Sequence, residues 1–341
     1  MRARAARPSL ALVATLAGIV AVAVAAGAES GGGAPAAGAA TDAWGALRPS
    51  PLERTEVGAA RIGRHVYVVG GYASEGVSTG RTVRYDIEAD RWKEVSPLPI
   101  AVNHAGVASL GGRLYVHGGL ETVGDSATAR LYRYNPGQDR WKRLSDGAQP
   151  RLAHAFERIG NKLYVAGGND ISAGGSDPRG DLRTVEVYRP AADRWRPLKK
   201  LPSARDHVAG AVLGGRLYVL GGRADGENLD LVERLDPEAG SRGRWRELAP
   251  LRTARSGFAA IASRGTIVAF GGEQLGLGDA TTIAPVEQYR PGKDRWRSLP
   301  PMTTPRHGLG GVVRKGRIFA LEGGPKPGQD YSAANEYLDL P

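Results

Sequence analysis

The chain has 341 residues and a formal net charge of +11. It contains no cysteine, which excludes structural disulfides, cysteine-ligated zinc and thiol catalysis. The basic balance favours anionic partners such as acidic glycans, wall polymers or phospholipid head groups, although arginine on a surface often serves only for solvation. Nucleic acid is not an expected partner, because no basic stripe interleaved with aromatic residues occurs.

Residues 1–28 have the pattern of a secretory signal peptide. Three arginines lie among the first seven residues, residues 10–26 are apolar or small, and residues 26–28 form a small-residue cleavage site. The apolar run is also near the lower limit for spanning a bilayer, so an uncleaved anchor is the alternative. The sequence therefore predicts an extracytoplasmic protein, secreted, periplasmic or at the cell surface, with membrane contact only if the segment stays uncleaved. Its removal would leave a net charge of +8. Residues 29–40 are rich in glycine and alanine and are predicted to form a flexible leader.

From residue 41 to residue 341 the chain repeats a unit of about fifty residues. Each of six copies has a Gly-Gly doublet that ends a short apolar strand, and five copies have a later Trp preceded by Arg. In four of these five copies the Arg is itself preceded by Asp. One supersecondary unit is therefore copied along the chain. The doublets begin at Gly70, Gly118, Gly167, Gly221, Gly271 and Gly323, and the tryptophans are Trp92, Trp141, Trp195, Trp245 and Trp296.

Each copy predicts four antiparallel strands. In the second copy, short apolar runs over residues 104–110, 113–117, 131–134 and 141–144 are separated by glycine, proline and asparagine, which is typical of hairpins. One such sheet cannot bury both of its faces alone, so each must pack between two neighbours. The tyrosines of strands two and three and the tryptophan of strand four are expected to fill the layers between sheets.

The sixth copy has no tryptophan of its own. A candidate for its missing outer strand lies at the other end of the repeats, where Trp44 precedes Gly45 and Ala46. Pairing this segment with residues 333–338 would close the sheets into a ring and remove two open edges.

A Gly-Gly doublet, a Tyr in the next strand and a Trp in the following one resemble the kelch repeat, over roughly Thr41 to Pro341. The resemblance implies an all-β, six-bladed kelch-type β-propeller whose ring is closed by the strand at Trp44. Copy four departs from the pattern, with Leu235 in place of Tyr and no Asp before Arg244-Trp245, and copy six inserts Glu322 before its doublet. Galactose oxidase, which is also of kelch type, needs a Tyr linked to Cys at its copper, so this cysteine-free chain cannot build that centre.

Antiparallel connection places the loops between strands two and three on the same face as the links between sheets. The longest of these loops are residues 169–181 and 273–284, and variable loops on a rigid scaffold are where recognition usually lies. The resemblance to kelch propellers also implies use of this face and of the central channel mouth. Ligand contact is therefore expected at Arg54, Arg306, His104, His154, His207, Ser256 and His307.

Five copies carry an arginine at one equivalent position before the doublet, and a guanidinium can hold an anionic group through two hydrogen bonds. Three of these arginines have an acidic residue in the same copy, so internal ion pairs are the preferred interpretation for them. The other two copies have Val83 and Asn335 at the acidic position, so Arg54 and Arg306 are expected to lack a partner and to contact ligand. The three predicted pairs are Arg151 with Glu186, Arg205 with Glu233 and Arg255 with Glu287.

Two classes of function remain open. The first is an exported, non-catalytic propeller that binds a glycan, cell-wall component or protein partner through its loops, without a cofactor. The second is a cofactor-independent sugar mutarotase or epimerase similar to N-acetylneuraminate epimerase, with acid and base groups drawn from His207, Asp206, His154 and Glu56. No metal site is expected, because the histidines show no close spacing within one element.

Overall fold

The computed structural model describes residues 43–73, 76–122, 126–171, 180–276 and 280–341. The predicted signal peptide at residues 1–28 and the leader at residues 29–40 lie outside these ranges. Within them, the single helical element is a 3-10 turn at Pro291–Lys293, and no helix is long and apolar enough to cross a membrane. All other regular structure is β-strand.

The described strands form six four-stranded antiparallel sheets, called blades 1 to 6 here. Five blades follow the chain from the inner to the outer strand, whereas blade 6 takes its outer strand from the start of the described chain. From the inner strand outward the strands are Gly58–Ile62, His65–Val69, Thr82–Asp86 and Arg91–Val95 in blade 1; Gly106–Leu110, Arg113–His117, Leu131–Asn135 and Arg140–Arg143 in blade 2; Ala155–Ile159, Lys162–Ala166, Val185–Arg189 and Arg194–Pro197 in blade 3; Ala209–Leu213, Arg216–Leu220, Val232–Asp236 and Arg244–Leu248 in blade 4; Ala259–Ser263, Thr266–Phe270, Val286–Arg290 and Arg295–Leu299 in blade 5; and Gly310–Arg314, Arg317–Leu321, Asn335–Asp339 and Gly45–Ala46 in blade 6.

The inner strand of each blade lies beside the inner strand of the next, and that of blade 6 lies beside that of blade 1. Outer-strand pairing places Gly45 opposite Tyr337 and Ala46 opposite Glu336. Trp44 is buried and packs against Phe270 of blade 5, with ring centroids 5.8 Å apart. The segment around Trp44 therefore supplies the outer strand of blade 6 and packs against the neighbouring blade.

Aromatic side chains fill the layers between blades, as the repeat pattern predicts. A strand-two tyrosine of one blade packs edge-on against a strand-three tyrosine of the next, as Tyr67 does against Tyr134 and Tyr218 against Tyr289. Their ring centroids are 5.8 and 6.3 Å apart. Where blade 4 has Leu235 instead of a tyrosine, that leucine joins the same apolar cluster as Tyr164.

The Asp and Trp of the repeat join each blade to the one before it. In blade 3 the Asp193 carboxylate accepts hydrogen bonds from the Tyr188 hydroxyl, at 2.5 Å, and from the Ser145 backbone N–H, at 3.0 Å. The Trp195 indole donates to the carbonyl of the same Ser145, at 2.9 Å. Six such indole bonds of 2.8 to 3.1 Å link all neighbouring blades; the donors are Trp44, Trp92, Trp141, Trp195, Trp245 and Trp296.

The missing Asp of blade 4 has a structural substitute at this joint. The backbone carbonyl of Arg242 accepts the Lys199 N–H at 2.9 Å, the role that the Asp193 carboxylate has in blade 3. In blade 6 the indole of Trp44 donates to Pro300, which has no N–H that would need an acceptor. Asp42, two residues before Trp44, lies outside the described residues.

We expect the joint to make stability depend on acidic pH. The hydrogen bonds from Tyr134, Tyr188 and Tyr289 hold the pKa values of Asp139, Asp193 and Asp294 below the ordinary range. A carboxyl whose pKa is lower in the folded state stabilises the fold above its unfolded pKa, near 3.9, and loses that contribution as pH falls through the folded pKa. Replacing all three with asparagine should lower the free energy of unfolding at pH 7 and flatten its decline below about pH 4. Urea unfolding of the variant and the wild type across pH measures this, and parallel pH profiles would contradict it.

The two rims of the propeller differ in their connections. The turn rim carries short links such as Gly111-Gly112 and Gly214-Gly215. The loop rim carries the links between strands two and three, and there the chain makes further short strands. These are Arg54–Thr55, Tyr72–Ala73 and Val77–Ser78; Val102–Asn103, Leu120–Glu121 and Ser126–Ala127; Arg223–Ala224 and Glu227–Asn228; and Glu273–Gln274 and Thr281–Thr282.

Candidate functional site

The ring of arginines lies inside the protein and not on its surface. None of the five side chains is exposed to solvent. Arg255 donates to Glu287 at 2.7 Å and Arg151 to Glu186 at 3.2 Å, and Arg205 pairs with Glu233. The three ion pairs predicted from the sequence are therefore confirmed.

The expectation that Arg54 and Arg306 lack an acidic partner is wrong. Arg54 donates to both carboxylate oxygens of Glu322, each at 2.8 Å, and Arg306 donates to Glu336 at 3.0 Å. Because both guanidinium groups are fully buried and paired, neither is available to clamp a ligand. In blade 2 the apolar pair Val102 and Tyr132 takes the place of the ion pair.

The inserted residue explains the error. Glu322 has a left-handed φ of 54° and follows the strand Arg317–Leu321, so it bulges out of the sheet. The third strand keeps the register of blade 3: Glu336 lies opposite Ala320 as Glu186 lies opposite Val165, so Glu336 and not Asn335 holds the acidic position. Leu338, and not Tyr337, then occupies the buried position of the other third-strand tyrosines.

The loop-rim mouth of the central channel is built from one equivalent residue of each blade. All six have a left-handed backbone with φ between 46° and 60°. Backbone hydrogen bonds of 2.8 to 3.1 Å link neighbours around much of this ring, for example from the His104 N–H to the Glu56 carbonyl. The six mouth residues are Glu56, His104, Ala153, His207, Gly257 and Gly308, and with the residues that follow them they line a cavity of about 100 Å³.

Three mouth residues meet although they come from blades 1, 2 and 4. His104 Nε2 lies 3.2 Å from Glu56 Oε2 and 3.0 Å from His207 Nε2. His207 Nδ1 lies 2.9 Å from the carboxylate of Asp206. The three side chains are about one-tenth exposed, so they are shielded but reachable from the mouth. A carboxylate and two imidazoles in this arrangement can bind a cation or transfer a proton.

Burial and charge set the protonation of this cluster. Burial raises the pKa of Glu56, but the charges of His104, His307 and His207 lower it more, and the result is below the ordinary value. Burial lowers the pKa of His104 to about 3, with Glu56 acting in the opposite direction. Burial raises the pKa of Asp206 while His207 and Arg223 lower it, again to below the ordinary value. At neutral pH Glu56 and Asp206 are therefore carboxylates, and His104 is a neutral imidazole.

The other residues predicted for ligand or catalysis have structural contacts. His154 is buried, its Nε2 lies 3.2 Å from Nδ1 of His117, and burial lowers the pKa of both well below the ordinary value. Ser256 is fully buried and its Oγ accepts from Asn228 at 2.9 Å. His307 lies 3.1 Å from the carbonyls of Gly324 and Gly328, with Nε2 3.4 Å from Glu56 Oε1. Of the seven ligand residues, His104 and His207 are the two that join the cluster with Glu56.

Sequence reasoning missed two residues beside this cluster, Arg223 and Glu273. Arg223 places Nε 3.0 Å from Asp206, Nη2 3.2 Å from His207 Nε2 and Nη1 3.6 Å from Glu273. Both missed residues directly follow a Gly-Gly doublet. Each pairs through its backbone with the residue that precedes the mouth residue of its blade, Arg223 with Asp206 and Glu273 with Ser256. The first residue after each doublet was therefore the available signal.

The fold and the mouth define a β-propeller with a polar central opening. A family model described as the KLHDC2/KLHL20/DRC7 Kelch-repeats domain matches residues 107–324, and a Kelch motif model matches residues 53–99. The chain belongs to the kelch-repeat family. This confirms the family and the all-β kelch-type propeller predicted from the sequence.

Known proteins are similar to this chain over part or most of its length. Kelch-like protein 35 of Mus musculus is 30% identical over 167 residues, which are 49% of this chain and 27% of that protein. Beta-scruin of Limulus polyphemus is also 30% identical over 167 residues, which are 45% of this chain and 17% of that protein. The chain thus spans about a quarter or less of these two relatives. The solved structure of YjhT superposes with a TM-score of 0.73 at 17% identity, covering 85% of this chain and 95% of that one, which shows the shared fold.

Proposed function

We propose that this protein is a non-catalytic recognition module that binds a protein partner through its loop rim. The observation that carries the proposal is the position of two exposed apolar side chains. Among the described residues, Val77 and Ile171 are the large hydrophobic side chains that remain exposed, at 47% and 50%. Both lie on the loop rim, in the loops of blades 1 and 3. Apolar side chains that lose contact with water on binding contribute to the buried core of protein interfaces.

The scaffold beneath these loops supports the same function. Paired short strands hold parts of the loop rim in place, and a rigid platform lowers the entropy lost when a partner binds. The five arginines of the ring, in contrast, each form an ion pair inside the protein. It therefore favours no anionic ligand, and a glycan or wall polymer becomes the alternative partner, supported by the net positive charge alone.

The place of action is part of the proposal. The pattern of residues 1–28 supports export, so we place the partner outside the cytoplasm. Catalysis similar to that of sugar mutarotases is the second candidate, favoured by the meeting of Glu56, Asp206 and His207 at the channel mouth. His154, which was expected to take part, faces His117 instead.

Charge substitution on the loop rim tests the proposal. A partner is first identified by crosslinking at the cell surface, and its purified form is titrated against the variants by biolayer interferometry. Val77→Glu combined with Ile171→Glu should weaken binding by about tenfold or more, equivalent to about 1.4 kcal/mol, because burying the new carboxylates is unfavourable. Ala89→Glu places one such carboxylate on an exposed position of the turn rim and should bind like the wild type.

Three other outcomes would redirect the proposal. Equal binding by the two variants would contradict a role for the loop rim. Salt-sensitive binding to acidic glycans on an array, without a protein partner, would support the glycan alternative. Turnover of acidic sugars that His207→Ala abolishes would support the enzyme.

A further inference from the structure

We propose that Glu56, His104 and His207 bind one divalent transition-metal ion, and their donor set points to Zn²⁺. Two imidazoles and one carboxylate are the protein ligands of zinc sites that keep a coordination position open. The site lies at the channel mouth, apart from Val77 and Ile171 on the loops, so this inference and the proposed partner binding can fail separately.

The donor atoms already have spacings that suit a metal. His104 Nε2 is 3.0 Å from His207 Nε2 and 3.2 Å from Glu56 Oε2, and the three donor atoms all lie within 4.8 Å of one another. Tetrahedral zinc with bonds of about 2.0–2.1 Å separates its ligand atoms by about 3.3 Å. One ion therefore fits between these groups with small side-chain adjustments.

The hydrogen bonds around the cluster turn lone pairs toward its centre. Asn103 donates its amide N–H to Ser78 Oγ at 2.6 Å, so its carbonyl oxygen faces and accepts from His104 Nδ1. His207 Nδ1 donates to Asp206. Both rings thus carry their proton on Nδ1 and leave Nε2 as a lone pair. Metal-binding histidines in proteins are usually oriented in this way, by a carboxylate or a carbonyl on the far nitrogen.

The charge around the cluster also suits a divalent ion. Three carboxylates lie at or beside the cluster, those of Glu56, Asp206 and Glu273. Among the described residues, the cation in contact with a ring Nε2 is the guanidinium of Arg223. Arg223 Nη2 lies 3.2 Å from His207 Nε2, and a bound ion would replace Arg223 as the partner of that nitrogen's lone pair. Arg223 would keep Asp206 and Glu273 as partners. The second oxygen of Glu56 faces His307, which leaves Oε2 for the ion.

The backbone at the three donors is strained, as it also is at Ala153 of blade 3, whereas the other two mouth positions avoid the strain with glycine. Glu56, His104 and His207 have φ values of 53°, 53° and 46°, while blades 5 and 6 have Gly257 and Gly308 at this position. A left-handed conformation costs a residue other than glycine about 1–2 kcal/mol. Such strain is concentrated at functional positions in proteins. The cavity of about 100 Å³ at the mouth leaves room for water at the open position of the ion.

Zinc titration of the intact protein tests the site. Protein without a polyhistidine tag is stripped with a chelator, titrated with zinc chloride by calorimetry, and analysed for metal by mass spectrometry after dialysis. We expect one Zn²⁺ per chain and a rise in Tm on binding. Co²⁺ bound in its place should show the intense visible absorption of a tetrahedral site.

Glycine variants separate the ligands from the fold. His104→Gly and His207→Gly remove a donor where the backbone favours glycine, so relief of strain offsets part of the loss of the hydrogen bonds to Asn103 and Asp206, and the metal-free variants should stay folded by circular dichroism. Each should weaken Zn²⁺ binding by more than the roughly 10- to 100-fold that loss of an outer-shell partner costs. Ala153→Gly changes the equivalent mouth residue of blade 3 without removing a donor, and it should bind like the wild type. Absence of stoichiometric zinc in the wild type, or unchanged affinity in the two histidine variants, would overturn the proposal.

Discussion

Replacing Glu322 with alanine should lower the free energy of unfolding by about 3–5 kcal/mol. The substitution leaves the Arg54 guanidinium, which has no exposed surface, without either of its 2.8 Å carboxylate contacts. It also removes the acceptor of the Ser50 hydroxyl, at 2.7 Å. An uncompensated buried charge is far more costly than the loss of a surface ion pair. Urea unfolding with linear extrapolation measures the difference.

Two variants show whether the buried charge is the cause. Glu238→Ala removes a largely exposed carboxylate 3.5 Å from Lys162 and should change stability by less than about 0.5 kcal/mol. Combining Glu322→Ala with Arg54→Met removes both charges and should recover part of the loss. If the double variant is no more stable than Glu322→Ala, the contribution of the ion pair has been misjudged.

Replacing Trp44 with alanine should cost about 3–5 kcal/mol, the range for removing a buried tryptophan. The indole is buried in an apolar cluster with Phe270, Met302 and Leu338, and its N–H donates to the Pro300 carbonyl at 3.1 Å. The substitution therefore weakens both the outer strand of blade 6 and its contact with blade 5. Thermal and urea unfolding followed by circular dichroism measure the effect without relying on tryptophan fluorescence.

A phenylalanine at the same position divides the effect into its two parts. Trp44→Phe keeps most of the apolar contact and loses the N–H donor, so it should cost about 1 kcal/mol. A loss below about 1 kcal/mol for Trp44→Ala would mean that the last blade does not depend on this strand.

The sequence predicted the elements that repeat within one unit. The doublets, the tyrosines and the tryptophans lie at regular spacing, so their strands and their layers followed from hairpin rules. The pairs of Arg151, Arg205 and Arg255 with acidic residues followed for the same reason, because each pair lies within one blade. Arg54 departs from this rule because its partner, Glu322, belongs to the neighbouring blade and enters through a bulge that no periodicity describes.

The cluster at the channel mouth could not be predicted from local spacing. His104 and His207 are 103 residues apart, and they meet because the ring brings the same position of different blades to one axis. A search for metal motifs within one element therefore finds nothing. Comparing equivalent positions across the copies, two residues after the arginine position, would have aligned Glu56, His104 and His207 before any coordinates were known.

The pairing of Gly45–Ala46 with Asn335–Asp339 has a consequence for the order of folding. The two partners are separated by nearly the full length of the repeats, so the sixth sheet gains its outer strand only after residue 339 has been synthesised. Blades 1 to 5 are each continuous in the chain and can assemble as it emerges, whereas ring completion waits until residues 335–339 have emerged. Long-range pairing of this kind slows the last step and leaves an open sheet edge exposed until it is complete.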